Sequence, residues 1–198
     1  MTEPTTRDRM ITTALRLFRT EGYPATSWRR LVEEAGTPWG SAYHHFPGGK
    51  EELGVAAVDL GSAVVRRTVR RAFERSDTPA EAVRWWFDKA GQVLVRDEFR
   101  SGCPLATITL EMSGRSPVLT EACERAFADW HALLTTLLAE HGYQEETSSA
   151  LAVAIINNIE GALLMSRVRR STRPLDLAVE HVRVLLDAHR TAGSWLVE

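Results

Sequence analysis

The feature that most constrains this chain is helical periodicity along almost its whole length, punctuated by glycine and proline. Apolar residues recur at i, i+3, i+4 and i+7 rather than in alternation, which places them on one face of a helix. Ile11, Ala14, Leu15 and Phe18 form the first such stripe, between Arg7 and about Glu21, and Gly22 supplies a stop. Ser27 offers an N-cap for a short helix with Leu31 and Val32 inward, closed by Gly36. Thr37 is expected to cap a third helix with Pro38 in its first turn, where the missing N–H costs little. That helix runs to about His45 and ends at Pro47-Gly48-Gly49. Further helices are expected from Lys50 to about Arg75, Ala80 to about Arg96, Ser101-Gly102-Cys103-Pro104 to about Met112, Ser116-Pro117 to about His141, Glu145 to about Arg170 and Leu175 to about Arg190. About nine helices, scarce strand-like segments and short connections predict an all-α fold.

The 198 residues suffice for a substantial core without disulfides or metal. Cys103 and Cys123 have neither metal-ligand spacing nor a disulfide pattern, and they suit a reducing cytosol. The start, Met1 to Arg7, lacks the apolar run of a signal peptide, and no uninterrupted apolar stretch approaches the ~20 residues of a membrane-spanning helix. The cytoplasm is therefore the expected compartment. The net charge is only −2, so any nucleic-acid function must come from a local patch. The first fifty residues hold seven bases against five acids, a net +2, and the remainder carries −4.

The segment Ser27 to Phe46 has the pattern of a helix-turn-helix: about two helical turns, a tight glycine-containing turn, then a second helix. Ala35 is small enough for close helix approach, and Gly36 permits the positive φ such a turn needs. The second helix would lie in a major groove with its first residues facing base edges.

Gly22-Tyr23, Ala35-Gly36 and above all Ala42-Tyr43-His44-His45-Phe46-Pro47-Gly48-Gly49-Lys50-Glu51-Glu52-Leu53 resemble the N-terminal domain of the tetracycline-repressor (TetR) family. The Tyr-His-His-Phe-Pro-Gly-Gly-Lys-Glu form, with Gly102-Cys103-Pro104-Leu105 further on, resembles the LmrA/YxaF-like branch. The likeness is strong over the first quarter; beyond it the match is in helix count and in Gly161-Ala162-Leu163. It implies a helix-turn-helix head at residues 1–50 and a ligand-binding and dimerisation domain at residues 51–198.

The chemistry of the head fits this resemblance. Ser27 can cap its helix and present hydroxyl and N–H groups to a phosphate. Arg29 can reach a phosphate or a guanine edge. Thr37, Trp39, Gly40 and Ser41 open the recognition helix; Gly40 permits close approach and Ser41 can hydrogen-bond a base or phosphate. Tyr43 and His44 are placed like the family's phosphate contacts, which set register rather than read sequence. Lys50 resembles the family's basic phosphate clamp. Trp39 departs from the family, where Arg or Lys is frequent, because an indole cannot make the bidentate contact to guanine. Ala42 stands where a larger aliphatic residue is common. Phe18, Phe46 and Leu53 are expected to tie the head together. Adjacent His44 and His45 diverge by about 100° around a helix and have no third ligand nearby, so no metal is expected, and no other cofactor.

One head reads too few bases, so a homodimer on a double-stranded palindromic operator is expected, with heads ~34–36 Å apart. The resemblance places the dimer surface on the last two helices, with Leu151, Ile155, Ile159, Ala162, Ser166, Val179, Val182, Leu185 and Leu186 as its candidates. Trp86, Cys103, Met112, Phe127, Trp130, Asn157, Glu160 and Met165 are candidates to line a cavity for a hydrophobic or aromatic inducer; plain core packing is the competing reading. Two alternatives stay open: a DNA-binding dimer with no inducer, and a helical enzyme using Cys103 or Cys123 with His131 or His141. The enzyme reading lacks any sequence signature, and Gly48-Gly49-Lys50 lacks the upstream glycine and following Ser/Thr of a phosphate loop.

Overall fold

A computed structural model describes residues 4–191; the first three positions of the expected head and the last seven of the expected body lie outside the described residues. Among the described residues there are nine α-helices and no strand: α1 (Thr6–Glu21), α2 (Trp28–Glu34), α3 (Trp39–His45), α4 (Gly49–Glu74), α5 (Pro79–Arg96), α6 (Pro104–Met112), α7 (Pro117–Glu140), α8 (Glu145–Arg169) and α9 (Arg173–Thr191). The expected all-α architecture is therefore the observed one.

Local chemistry explains most of the boundaries. Thr5 and Asp8 form a reciprocal capping box at α1, as Thr78 and Glu81 do at α5, satisfying N–H groups that have no helical partner. Ser27 caps α2 as expected, its Oγ accepting the Arg30 N–H at 3.2 Å. The end of α2 is a Schellman motif: Gly36 takes φ +58°, Thr37 N–H donates to the Val32 carbonyl, and Gly36 N–H donates to that of Glu33. This motif corrects the expected role of Thr37. Its backbone is used in closing α2, its side chain is buried with the hydroxyl turned to the Ala35 carbonyl, and Pro38 stands at the N-cap of α3 instead.

The chain divides into two compact units, residues 1–64 with 103–127, and 65–102 with 128–198. In the first, α1 packs against α2, α3 and α6, burying Met10, Ala14, Leu17 and Phe18 from α1, Leu31 and Val32 from α2, and Ala42 from α3. Phe46 and Leu53 are fully buried too, and Ala42 has no exposed surface. In the second, α5, α8 and α9 pack on one another around Phe87, Leu94, Leu151, Ile155, Ile159, Val179 and Val182. The Tyr143 hydroxyl, also buried, donates to the Leu186 carbonyl.

Helix α8 carries apolar residues on more than one face, with Asn157, Asn158 and Glu160 among them, and by length and composition alone it is one that could cross a membrane. Its inner residues, Leu151, Ala152, Ile155, Ile159, Ala162 and Ser166, are buried within the protomer. Of the expected dimer residues, these members and Val179, Val182 and Leu186 of α9 are therefore consumed by the protomer's own core, and Leu185 is half-buried against it. Surface already removed from water inside one chain is not available to a second. The outward apolar side chains of these helices are instead Val153, Leu164, Met165, Val168, Leu177 and Val184.

Replacing Gly36 by Ala is expected to cost about 1 kcal/mol of stability, from the left-handed conformation alone, because a Cβ there meets nothing within 4 Å. Urea denaturation measures it, and Gly36→Asn should cost less.

Candidate nucleic-acid interface

The turn at Gly36 presents α3 outward. Trp39 and Tyr43 are about half exposed, at 48% and 51%, Gly40 and His44 are exposed, and Ser41 is partly so. A Cβ at Gly40 would meet nothing within 4 Å, so the start of α3 has an open surface. Ala42 anchors the opposite side of the helix in the core. Tyr43 is steadied by Trp28, whose ring lies 5.3 Å from its own; Trp28 also buries its indole N–H without an acceptor. Sequence reasoning missed this pairing, since it joins residues on two different short helices. His44 is exposed and His45 half-buried, with rings 5.4 Å apart; among the described residues no cluster of His, Cys, Asp or Glu could hold a metal.

Three of the head's seven basic residues pair with its acids. Arg29 reaches Glu33 at 2.7 Å, Arg30 reaches Glu21 at 2.8 Å, and Arg16 reaches Glu34 at 2.6 Å. The Glu33 carboxylate raises the Arg29 pKa, chiefly by hydrogen bonding. Such exposed pairs are worth little and exchange readily for a phosphate or base. Lys50 differs. It is half-buried, its Nζ donates to the Tyr23 carbonyl at 2.6 Å and lies 4.1 Å over the Tyr23 ring. Burial lowers its pKa, with the Glu111 charge opposing the shift. Burial also pushes the Tyr23 phenol up to about 12, with Glu51 adding to the effect, so the ring is neutral across the physiological range. Of the residues expected on DNA, Ser27, Arg29, Trp39, Gly40, Ser41, Tyr43 and His44 lie on accessible surface, while Thr37 is buried and the Lys50 amine is turned inward.

The expected ligand residues do not form one set. Cys103, Met112 and Phe127 belong to the first compact unit; Trp86, Trp130, Asn157, Glu160 and Met165 belong to the second. Trp86, Cys103 and Trp130 are buried, with Trp86 in the second unit's core and edge-on to Phe87 at 5.7 Å. Met112, Phe127 and Glu160 are half-buried. Asn157 and Met165 sit on an outward groove of about 380 Å³, with Gly161, Arg169, Pro174 and Leu177. They therefore belong to the outer face of α8 and α9 rather than to an interior cavity.

The thiols are not set up for nucleophilic chemistry. Both are buried, and desolvation raises the Cys123 pKa, the opposite of activation. His131 bonds Ser149 and His141 bonds the Leu137 carbonyl.

Two family matches cover the chain. Residues 10–57 match the family described as bacterial regulatory proteins, tetR family, and residues 79–181 match the LmrA/YxaF-like transcriptional regulator C-terminal domain. The chain is 33% identical over 180 residues to the HTH-type transcriptional regulator YxaF of Bacillus subtilis, covering 91% of this chain and 94% of that one. It is 30% identical to the B. subtilis regulator LmrA, covering 85% and 90%. Among solved structures, a TetR transcriptional regulator from Legionella pneumophila superposes with a TM-score of 0.81 at 23% identity, over 92% of this chain and 98% of the other.

Removing the Ser27 hydroxyl by Ser27→Ala should cost about 1 kcal/mol, whereas Ser27→Gly should cost only a few tenths. Thermal unfolding of the two variants beside the wild type checks the cap.

Proposed function

Because the chain belongs to the tetR family of bacterial regulatory proteins, in its LmrA/YxaF-like branch, it is a helix-turn-helix transcriptional regulator rather than an enzyme, and we propose that it acts as a homodimeric repressor that holds a palindromic operator and releases it when a small hydrophobic or aromatic inducer binds. The observation that carries the reading is the outward face of α3, where Trp39, Gly40, Tyr43 and His44 stand exposed on a helix anchored by buried Ala42. Helix α3 enters the major groove. Arg29 and Ser41 reach base edges or phosphates, and Trp39 offers an apolar surface to a thymine methyl or sugar. Tyr43, His44 and the first turn of α2 at Ser27 hold the backbone and fix register. A bacterial regulator that binds DNA works in the cytoplasm, where that DNA lies.

The outer face of α8 and α9 supports dimerisation. Val153, Asn157, Gly161, Leu164 and Val168 follow one helical stripe, and Leu177, His181, Val184 and Ala188 follow another. Exposed apolar side chains at that spacing, beside a groove with open glycine at Gly161, fit a second copy of the same two helices. Within the second compact unit, the inducer would be met by Trp86, Trp130 and Glu160, whose aromatic side chains suit flat apolar molecules. It must bind the DNA-free arrangement better than the DNA-bound one, or it shifts nothing.

Leu164→Asp combined with Leu177→Asp should weaken the dimer about a hundredfold or more in sedimentation equilibrium, and with it operator affinity, while leaving each protomer folded. A double variant that remains fully dimeric rejects this face. Selection from random duplexes should return a palindrome. On it, Arg29→Ala should lose about 1–3 kcal/mol and relax one position, whereas Tyr43→Phe should weaken all duplexes alike. Titrating flat hydrophobic compounds into the protein–operator complex tests induction, and tight binding without operator release rejects it.

A further inference from the structure

We propose that Glu111 is a positioning residue for DNA binding: its carboxylate and the Lys50 amine clamp Tyr23 between them, holding the turn that leads into the helix-turn-helix. The proposal rests on the DNA-binding reading above and lies entirely within the first compact unit.

The geometry is specific. Tyr23 offers one backbone donor and one backbone acceptor, and each is held by a charged side chain from a different helix. Glu111, in the last turn of α6, accepts the Tyr23 N–H at 2.7 Å. Lys50, in the first turn of α4, donates to the Tyr23 carbonyl at 2.6 Å and covers its ring. Within the turn the Thr26 N–H also donates to the Tyr23 carbonyl, at 3.3 Å. The Gly22 N–H donates to Phe18, and the Thr26 hydroxyl donates to the Gly22 carbonyl at 2.7 Å. Pro24 follows and restricts Tyr23 to extended backbone. Three residues later Ser27 caps α2, so the position of this turn sets where α2, and α3 after it, begin.

Two features indicate that Glu111 is placed for this contact rather than merely tolerated. A carboxylate at a helix C-terminus opposes the helix dipole, so its position on α6 is unfavourable by itself. Gly22, at φ +88°, is also the residue whose Cβ would overlap that carboxylate, so the close approach needs glycine there. Lys50 accordingly uses its charge inside the protein, although in sequence it looks like a phosphate contact.

The test uses the full-length protein and its selected duplex, with affinity measured across a salt series. Lys50→Met and Glu111→Ala should each weaken binding to every duplex about tenfold, with the dependence of log affinity on log salt unchanged. The double variant should bind no worse than the weaker single variant, because both changes open one clamp. Glu111→Gln keeps an acceptor for the Tyr23 N–H and should restore most of the affinity. A Lys50→Met slope reduced by about one makes Lys50 a phosphate contact and overturns the proposal, as does an additive double variant. If Glu111→Ala does not fold, the Lys50→Met slope decides alone: unchanged supports the clamp, lowered rejects it. A wild-type protein that selects no duplex refutes the DNA-binding reading itself, a separate outcome.

Discussion

Helix α8 carries apolar side chains on more than the one face it buries, and an apolar face gains by being covered. One side is closed by α5 and α9, whose inward stripes make the core of the second compact unit. On the other side, Leu164 and Val168 face outward, uncovered among the described residues. Much of the proposed biology depends on that asymmetry. A single small head reads only a few base pairs, and in the proposed dimer the second head comes with a second copy seated on this outward face.

Part of the head's positive charge is engaged within the protein. Arg16, Arg29 and Arg30 each have an acidic neighbour, and Lys50 is drawn to Tyr23. In the proposed reading, affinity draws on shape, on exchangeable surface pairs such as Arg29–Glu33 and on the exposed groups of α3 as well as on charge. A near-neutral chain with a DNA head is consistent when two heads act together and geometry sets their register.

How far the sequence could be read depended on the range of the interaction involved. Ser27 as a cap and Gly36 in the α2–α3 turn were legible because capping and φ preference act within three or four residues. Thr37 was misread by one position: a threonine before a proline looks like a cap, but here its backbone closes the preceding Schellman motif. Most of the residues expected on a dimer face are buried within the protomer instead. On α9, Leu175, Val179, Val182 and Leu186 have the same spacing as Leu177, His181, Val184 and Ala188, and periodicity alone does not say which stripe a protomer keeps. An available signal was that α8 holds more apolar residues than one buried stripe needs. Asn157 and Met165 were assigned inward for the same reason.

By itself, then, the sequence determined the helices, most of their boundaries, the helix-turn-helix and the family, because these follow from local propensity, capping and an ordered motif. Only the tertiary structure decided which apolar stripe is core and where the charges of Lys50 and Glu111 are used. Glu111 meets Tyr23 across 88 positions of chain and Lys50 meets it across 27. Contacts of that range depend on how helices pack, and no local pattern of residues records them.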